Sequence, residues 1–297
     1  DPTPTGAANA IRVVNLEETL LDADIVSREL VRPYLGNSEQ IIAGRKSRIS
    51  FEVELQGSGT PGTAPAMGPL LRACGLAEVF TPGIYVDYIP VSSGFESVTL
   101  YFQPQHSSAA NAPLHKITGA LGNVEFTFNA KSLPMAKFTF TGNYNNPAPE
   151  TNIVADYSAW KVPTAINKAN TPAFNFYGVT PCMSELSVNL NNTIVHRDLV
   201  NCETVMLTDR KVGGTVVFEA PDLAPVNFWK VAEDGTVGTL NIGHGTVPGR
   251  SLDLAALSSV NIQNPSYSVR DGILMLSVPF VVVPAGGLLN ELLLRFR

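Results

Sequence analysis

Short apolar runs rich in valine, isoleucine, phenylalanine and threonine recur along the whole chain, with clusters of turn residues between them. Two of these runs, 124–128 and 137–141, alternate apolar and polar residues, which indicates strands with one buried face and one open face. The connection between the two has the length of a hairpin turn. The pattern therefore predicts a mainly β protein of the sandwich or barrel kind, with strands at 49–55, 97–102, 124–128, 136–141, 184–190, 215–218 and 273–283.

Helical patterns are few. Residues 65–77 place Leu70 and Leu71 near one face, and prolines open the segment as they do in the first turn of many helices. A shorter counterpart lies at 225–233, whereas residues 16–35 fit the helical and the strand period equally well. We expect one modest helix beside the strands in each half of the chain.

Two segments spell nearly the same pattern: IVSRELV at 25–31 returns as IVHRDLV at 194–200, 169 positions later. Arg45 and Lys46 return as Arg210 and Lys211, 165 positions later. Eight positions after each lysine a glutamate closes an apolar run, at Glu54 and at Glu219. Accidental matches would have no reason to share order and near-constant spacing, so we interpret the chain as an internal duplication.

A chain of 297 residues can hold two domains of about 150 residues each. The stretch from 146 to 175 is rich in Asn, Pro, Ala and Thr and shows no sustained period, which is typical of a connection. We therefore predict a first β domain at 1–145, a linker at 146–175 and a second β domain at 176–297. The small-residue loop at 106–113 suits a projecting arm.

Charged residues make up only 15% of the chain, well below the quarter usual for soluble domains, which suggests a surface partly covered by other protein. The net charge of −6 argues against a protein that grips nucleic-acid phosphates. Glu52, Glu54 and Glu125 lie on sheet-like alternating segments, and Glu52 and Glu54 share one face of a strand.

Recognisable catalytic and metal-binding patterns are missing from the sequence, so we expect neither an enzyme nor a cofactor or metal site. The cysteines form no CxxC pair and are expected to be small buried hydrophobes, and the histidines, expected at the surface or an interface, lack metal-ligand spacing. GSGTPG at 57–62 matches GxGxxG formally, but Pro61 removes an amide from the stretch that would cradle phosphate, and βαβ units are lacking. We interpret it as a flexible strand-to-helix turn.

The repeated charges allow two interpretations. Each arginine could form an ion pair within its own domain, or it could bind a carboxylate of a neighbouring copy and fix the register between subunits. Both remain open for the candidate contacts at domain edges or between subunits, which are Arg28, Glu29, Arg45, Arg197, Asp198 and Arg210.

Several motifs together resemble the tail tube proteins of siphophages, the long-tailed bacteriophages with non-contractile tails. The motifs are FEVELQGSGTPGTAP (51–65), PLLRACGLAE (69–78), YIPV (88–91), LHKITGALGNV (114–124), FTFTGNY (138–144), DRK (209–211) and LLRFR (293–297). They cover most of the chain, and the linker and the 106–113 loop fit least well.

The resemblance implies β-sandwiches with a flanking helix, stacked as rings into a hollow tube that carries DNA from the capsid to the host. Single-domain members form hexameric rings, so a duplicated chain is expected to form a pseudo-hexameric trimer. It further implies a place in the virion tail, assembly in the host cytoplasm, and tape-measure, tail-terminator and distal tail proteins as partners. DNA is expected to pass without specific binding through a lumen for which Glu52, Glu54 and Glu125 are the candidate acidic residues. A sugar- or receptor-binding β-sandwich is the alternative; such a protein would favour clustered exposed aromatic residues.

Overall fold

The computed structural model describes residues 4–104, 111–284 and 291–297. In this part of the chain the protein is mainly β, as the pattern predicts. The helices are α1 (Gly6–Asn9), α2 (Gly68–Arg72) and α3 (Phe228–Asp234). The strands are β1 (Val14–Ser27), β2 (Gln40–Glu54), β3 (Leu76–Thr81), β4 (Tyr85–Pro90), β5 (Val98–Phe102), β6 (Asn111–Asn129), β7 (Met135–Tyr144), β8 (Ala148–Thr151), β9 (Ala173–Phe176), β10 (Met183–Asn189), β11 (Thr193–Leu199), β12 (Cys202–Asp209), β13 (Gly213–Glu219), β14 (Val237–His244), β15 (Leu252–Ile262), β16 (Ser266–Arg270), β17 (Ile273–Val282) and β18 (Leu293–Phe296).

All seven predicted strands are present, and the ambiguous stretch 16–35 begins as strand β1. The helix predicted at 65–77 is shorter in the structure, because it ends at Arg72 and Gly75, with a φ of 77°, redirects the chain into β3. The counterpart helix α3 begins after Asn227, whose side chain accepts hydrogen bonds from the amides of Trp229 and Lys230.

One sheet runs through both halves of the chain. Its strands follow the order β1, β2, β7, β6, β10, β13, β17, β15, β18, β4 and β3, and every pairing along this path is antiparallel. Strand β6 of the first half pairs with β10 of the second half, and β18 near the C-terminus pairs with β4 of the first half. The two halves are therefore joined at two places in the sheet.

The order of strands repeats along this path. In the first half β2 lies between β1 and β7, and in the second half β13 lies between β10 and β17. The registers correspond as well: Glu54 is opposite Met135, and Glu219 is opposite Met275. Five residues before each glutamate, a phenylalanine lies on the facing strand in both halves. Ile49 of β2 is opposite Phe140 of β7, and Gly214 of β13 is opposite Phe280 of β17.

The repeated sequence segments occupy corresponding positions in two long hairpins. Ile25 of β1 is opposite Ile42 of β2, three residues before Arg45. Ile194 of β11 is opposite Leu207 of β12, three residues before Arg210. These correspondences support the internal duplication, which remains our interpretation of them.

A single hydrophobic core extends across both halves, and it includes side chains of the predicted linker. Trp160 and Ile166 are buried, and the indole Nε1 of Trp160 donates to the carbonyl oxygen of Ala10 at 2.9 Å. Residues 148–151 and 173–176 form strands. The division into domains at 146–175 stays a prediction. Of the predicted arm 106–113, residues 106–110 lie outside the described residues, and 111–113 begin β6.

Candidate assembly surfaces

The three predicted acidic residues lie on the open face of the sheet. Glu52 is directly opposite Lys137, which is in turn opposite Glu125, and Glu54 lies two residues beyond Glu52 on the same side of β2. Their strand neighbours on the other side, such as Phe138, are buried in the core. This face therefore carries carboxylates together with two cations, Lys137 between Glu52 and Glu125 and Arg48 four residues before Glu52 on the same side of β2.

Short polar side chains continue this face across the junction between the halves. Asn123 of β6 donates from Nδ2 to Oδ1 of Asn189 on β10 at 2.8 Å, and Asn189 Nδ2 lies 3.4 Å from Glu125 Oε2. The hydroxyls of Ser50 and Thr139 are 3.3 Å apart. The open face of the sheet is thus polar, weakly acidic and continuous from β2 to β10.

Three of the repeated charged residues have partners within the chain at exposed or hairpin positions. Arg28 Nη1 lies 3.6 Å from Glu39 Oε2, and both side chains are largely exposed. Arg45 places its guanidinium 5.7 Å from the ring centre of Tyr144. Arg197 Nη1 lies 3.9 Å from Met206 Sδ across the β11–β12 hairpin.

Glu29 and Asp198 are both exposed. A Cβ added at Gly44 of β2 would lie 3.4 Å from Asp198 Oδ2, so the tip region of the second hairpin approaches the first. The repeated charges do not form one cluster; they lie along the outer parts of two separate hairpins.

Arg210 differs from these residues because its side chain is buried. Nη1 donates to the carbonyl oxygen of Val91 at 2.8 Å, and Nη2 lies 2.9 Å from Glu291 Oε2. The side chain of Arg210 is 7% exposed, whereas that of the adjacent Lys211 is 80% exposed. Arg210 therefore connects the β12–β13 turn to the first half and to the C-terminal segment within one chain.

The second-half hairpin β11–β12 packs against the first half. Asn192, directly before β11, donates from Nδ2 to the carbonyl oxygens of Cys74 at 2.7 Å and Gly122 at 2.9 Å. A Cβ added at Gly75 would lie 3.1 Å from Leu207 Cδ1 and 3.6 Å from the ring of Phe95. This hairpin has its apolar side covered by β6, β7 and the segment before β5.

The corresponding first-half hairpin has no such cover among the described residues. We call the outer parts of β1 and β2 with their connection, residues 20–46, the first-half arm. Its large apolar side chains are exposed at Leu21, Ile25, Val26, Leu30, Val31, Tyr34, Leu35, Ile41 and Ile42. Exposed apolar surface of this extent is typical of a protein–protein contact.

A second exposed apolar surface surrounds strand β16. Tyr267 and Val269 of β16 are exposed, as are Ile273 and Leu274 at the start of β17. Trp229 of α3 lies beside Tyr267 with 5.3 Å between the ring centroids and a tilt of 47° between the rings, and it donates from Nε1 to the Tyr267 hydroxyl at 3.0 Å. This pair was not predicted from the sequence, because the two residues are far apart along the chain and β16 has no run of alternating residues long enough to predict it.

The GSGTPG segment lies between β2 and α2, as the predicted turn requires. Its glycines make room for backbone of the same chain: a Cβ at Gly57 would lie 2.2 Å from the carbonyl oxygen of Gly249, and a Cβ at Gly62 would lie 2.2 Å from the amide nitrogen of Gly83. Gly59 also donates from its amide to Gly249. The glycines of this segment are therefore explained by close approach of backbone from elsewhere in the chain.

The expectation that all three cysteines are buried is wrong for two of them. Cys74 is buried, and burial raises the pKa of its thiol, but Cys182 and Cys202 are exposed because they lie in the connection before β10 and at the tip of the β11–β12 hairpin. The surface placement expected of the histidines is wrong for His244. Its ring is buried between Thr171 and Thr164.

Comparison of the chain with protein-family models and with curated proteins finds no match. In the part of the chain that the structure describes, no helix is long and apolar enough to span a membrane. Nor do the described His, Cys, Asp and Glu side chains form a group of three or more that could hold a metal ion.

Proposed function

We propose that the protein is a structural virion component that assembles into rings, which stack as the hollow tail tube of a siphophage-like virus. The observation that carries this proposal is the repeated strand order of the sheet, in which β1 at one end of the repeat and β16 at the other each have one edge without a partner strand among the described residues. Such a chain offers two different surfaces, and head-to-tail contacts between different surfaces produce closed rings or open helices.

Three copies would place six units of the repeated sheet around one axis, which is the pseudo-hexameric trimer expected from the sequence. The chain already contains one junction between units, where β6 pairs with β10. The apolar first-half arm and the apolar surface around β16 provide the exposed area that further junctions need.

The open face of the sheet suits the wall of a channel for DNA. It carries Glu52, Glu54 and Glu125 with Lys137 among them and Arg48 nearby on β2, and its other side chains include hydroxyls and amides. A weakly acidic wall repels phosphates, so a duplex passes without being held. In this proposal the tape-measure, tail-terminator and distal tail proteins are the partners, and the protein acts in the virion tail after assembly in the host cytoplasm.

Electron microscopy of the concentrated purified protein tests the proposal. We expect rings or tubes with three copies per ring and an axial channel wide enough for duplex DNA. A protein that stays monomeric at all concentrations, or that forms assemblies without a channel, would contradict it.

A second candidate function is sugar binding, and one observation favours it. Trp229 and Tyr267 form an exposed aromatic pair of the kind on which sugar rings stack. Calorimetric titration with a panel of oligosaccharides tests it: binding by the wild type that Trp229→Ala abolishes would favour this function over the tube.

A further inference from the structure

Two strands at opposite ends of the repeated sheet have an unpaired edge. Among the described residues, β1 pairs only with β2, and β16 pairs only with β17. Strand β16 is exposed along its whole length, with Tyr267 52% and Val269 70% exposed, and β1 is exposed from Val14 to Thr19. Exposed strand edges present free N–H and C=O groups that can pair with another chain.

The chain itself shows how two such edges fit together. Strand β10 corresponds to β1, because each pairs with the strand that carries the corresponding glutamate, Glu219 in β13 and Glu54 in β2. Strand β16 corresponds to the end of β6, because each forms a hairpin with the strand that carries the corresponding methionine, Met275 in β17 and Met135 in β7. Within the chain, β10 and β6 pair antiparallel at the junction of the two halves.

We propose that β1 of one copy pairs antiparallel with β16 of the next copy, in the register with which β10 pairs with β6. This inference rests on the self-association in the proposed function and names the edges that make it. In the internal junction Ser187 is opposite Thr127, and Val188 is opposite Phe126. By its pairing within its own sheet, Glu17 of β1 corresponds to Ser187 of β10, and Ser268 of β16 corresponds to Thr127 of β6. The same register therefore places Glu17 of one copy opposite Ser268 of the next, and Glu18 opposite Tyr267.

The side chains on the two edges complement one another. Leu16 takes the place of Leu186 and packs against Val269, which takes the place of the buried Phe128. The hydroxyl of Tyr267 accepts the indole N–H of Trp229, so its own hydrogen is available to donate to the Glu18 carboxylate. The one acidic residue that faces inward on this edge of β1 thus meets a donor in the neighbouring copy.

The first-half arm then follows the path of its counterpart. In the second half, the hairpin β11–β12 continues from the junction and covers Phe95 and Gly75 of the first half. In the neighbouring copy, the corresponding surface lies beside the end of β17, where Val283 is exposed, and beside β14, where Val237 is exposed. The apolar arm of one copy covers these residues of the next.

Engineered disulfides test the register. The variant carries Glu17→Cys and Ser268→Cys in a chain whose exposed Cys182 and Cys202 are replaced by serine. A positive control with Ser187→Cys and Thr127→Cys places the same pair inside one chain, and it should form an intrachain disulfide. A negative control keeps Glu17→Cys but carries Val162→Cys in place of Ser268→Cys, since Val162 is exposed and lies outside the proposed pairing.

Under mild oxidation we expect more than half of the Glu17→Cys/Ser268→Cys chains to become linked between copies, as a ladder that ends at the trimer on a non-reducing gel. In the Val162→Cys control, the fraction of chains linked between copies should be at least fivefold lower. The proposed pairing is wrong if the positive control forms its intrachain disulfide while the Glu17→Cys/Ser268→Cys chains link between copies no more than the Val162→Cys control does.

This outcome can be separated from failure of the proposed function. Tubes seen by electron microscopy without the Glu17–Ser268 link would overturn the strand pairing and leave the tube intact. Efficient linking in assemblies without a channel would overturn the tube and leave the pairing intact. As a second measurement, Trp229 fluorescence in a Trp160→Phe background should shift to the blue on assembly, because the neighbouring β1 covers it; an unchanged spectrum in assembled protein would count against the pairing.

Discussion

Asp87 and Arg295 form a two-point ion pair although 208 positions separate them along the chain. Arg295 Nε lies 2.7 Å from Oδ1 and Nη2 lies 2.8 Å from Oδ2, and the guanidinium stacks 3.8 Å from the ring centre of Tyr85. The hydrogen bonds to Asp87 raise the pKa of Arg295. Because Asp87 lies on β4 and Arg295 on β18, the pair fixes the register with which the C-terminal strand closes onto the first half.

Replacing Arg295 by lysine should test how much this pair stabilises the fold. Lysine keeps the charge but cannot donate two parallel hydrogen bonds, and Asp87 is mostly buried. We expect the free energy of unfolding in urea to fall by about 2 kcal/mol. The matched control is Asp234→Asn, which breaks the exposed Lys230–Asp234 pair and should change stability by less than about 0.5 kcal/mol. If the two variants lower the free energy of unfolding equally, the Asp87–Arg295 pair stabilises the fold no more than an exposed ion pair does.

The neighbouring residues Arg210 and Lys211 should respond very differently to alanine. Arg210→Ala leaves the buried carboxylate of Glu291 without its cation and the carbonyl oxygen of Val91 without its donor. We expect a loss of about 3–5 kcal/mol in chemical denaturation. Lys211→Ala removes a largely exposed partner of Asp209 and should cost less than about 1 kcal/mol. If Arg210→Ala folds with wild-type stability but fails to assemble, the role of Arg210 is at a subunit contact instead.

His244 should make the fold less stable in mild acid. Burial lowers the pKa of His244, against a smaller opposing effect of its hydrogen bond to the Thr164 carbonyl oxygen. The folded protein therefore holds the ring neutral, while the unfolded chain takes up a proton below its ordinary pKa of about 6.5. The stabilisation is complete above that pH and is lost as the pH falls through and below it.

The measurement is urea denaturation at several pH values between 7.5 and 5.5, for the wild type and for His244→Gln. Glutamine retains hydrogen-bonding groups but does not titrate in this range. The wild type should lose more stability than the variant as the pH falls. Parallel curves for the two proteins would mean that another group causes any acid sensitivity.

Much of the fold could be predicted from the sequence, because the alternation of apolar and polar residues along a strand reflects which side chains are buried. Alternation at 124–128 and 137–141 led to β6 and β7, whose outward positions include Glu125 and Lys137. Alternation also put the three acidic candidates on strands, but it did not show that they share one open face with Lys137 between Glu52 and Glu125. Opposite residues depend on register, and register is set by long-range pairing that no local pattern records.

The parts that could not be predicted depend on contacts between distant residues. The repeated Arg-Lys pairs lie near the base of the first-half arm and of the β11–β12 hairpin, yet nothing local distinguishes the buried Arg210 from Arg45 beside Tyr144. Burial of Arg210 follows from the C-terminal segment and β4 meeting at this point, which requires the whole sheet path. Similarly, Trp160 in the predicted linker is part of the core and bonds to Ala10, a contact between residues 150 positions apart that no local pattern records.

Reversing the charge of the three glutamates on the open face should make this surface bind duplex DNA. The triple variant Glu52→Lys, Glu54→Lys and Glu125→Lys adds cations beside Lys137 on the surface assigned to the channel. Clustered lysines neutralise phosphates and release counterions, so assemblies formed in the presence of duplex DNA should retain it and protect it from nuclease.

The retained DNA should be lost again as the salt concentration rises, because counterion release makes the affinity salt-dependent. A control with the same number of reversals at exposed residues off this face, Asp222→Lys, Glu233→Lys and Asp234→Lys, should bind DNA only on the outside, where nuclease reaches it. Nuclease protection that is equal in the two variants would mean that the face with Glu52 and Glu125 does not line the channel.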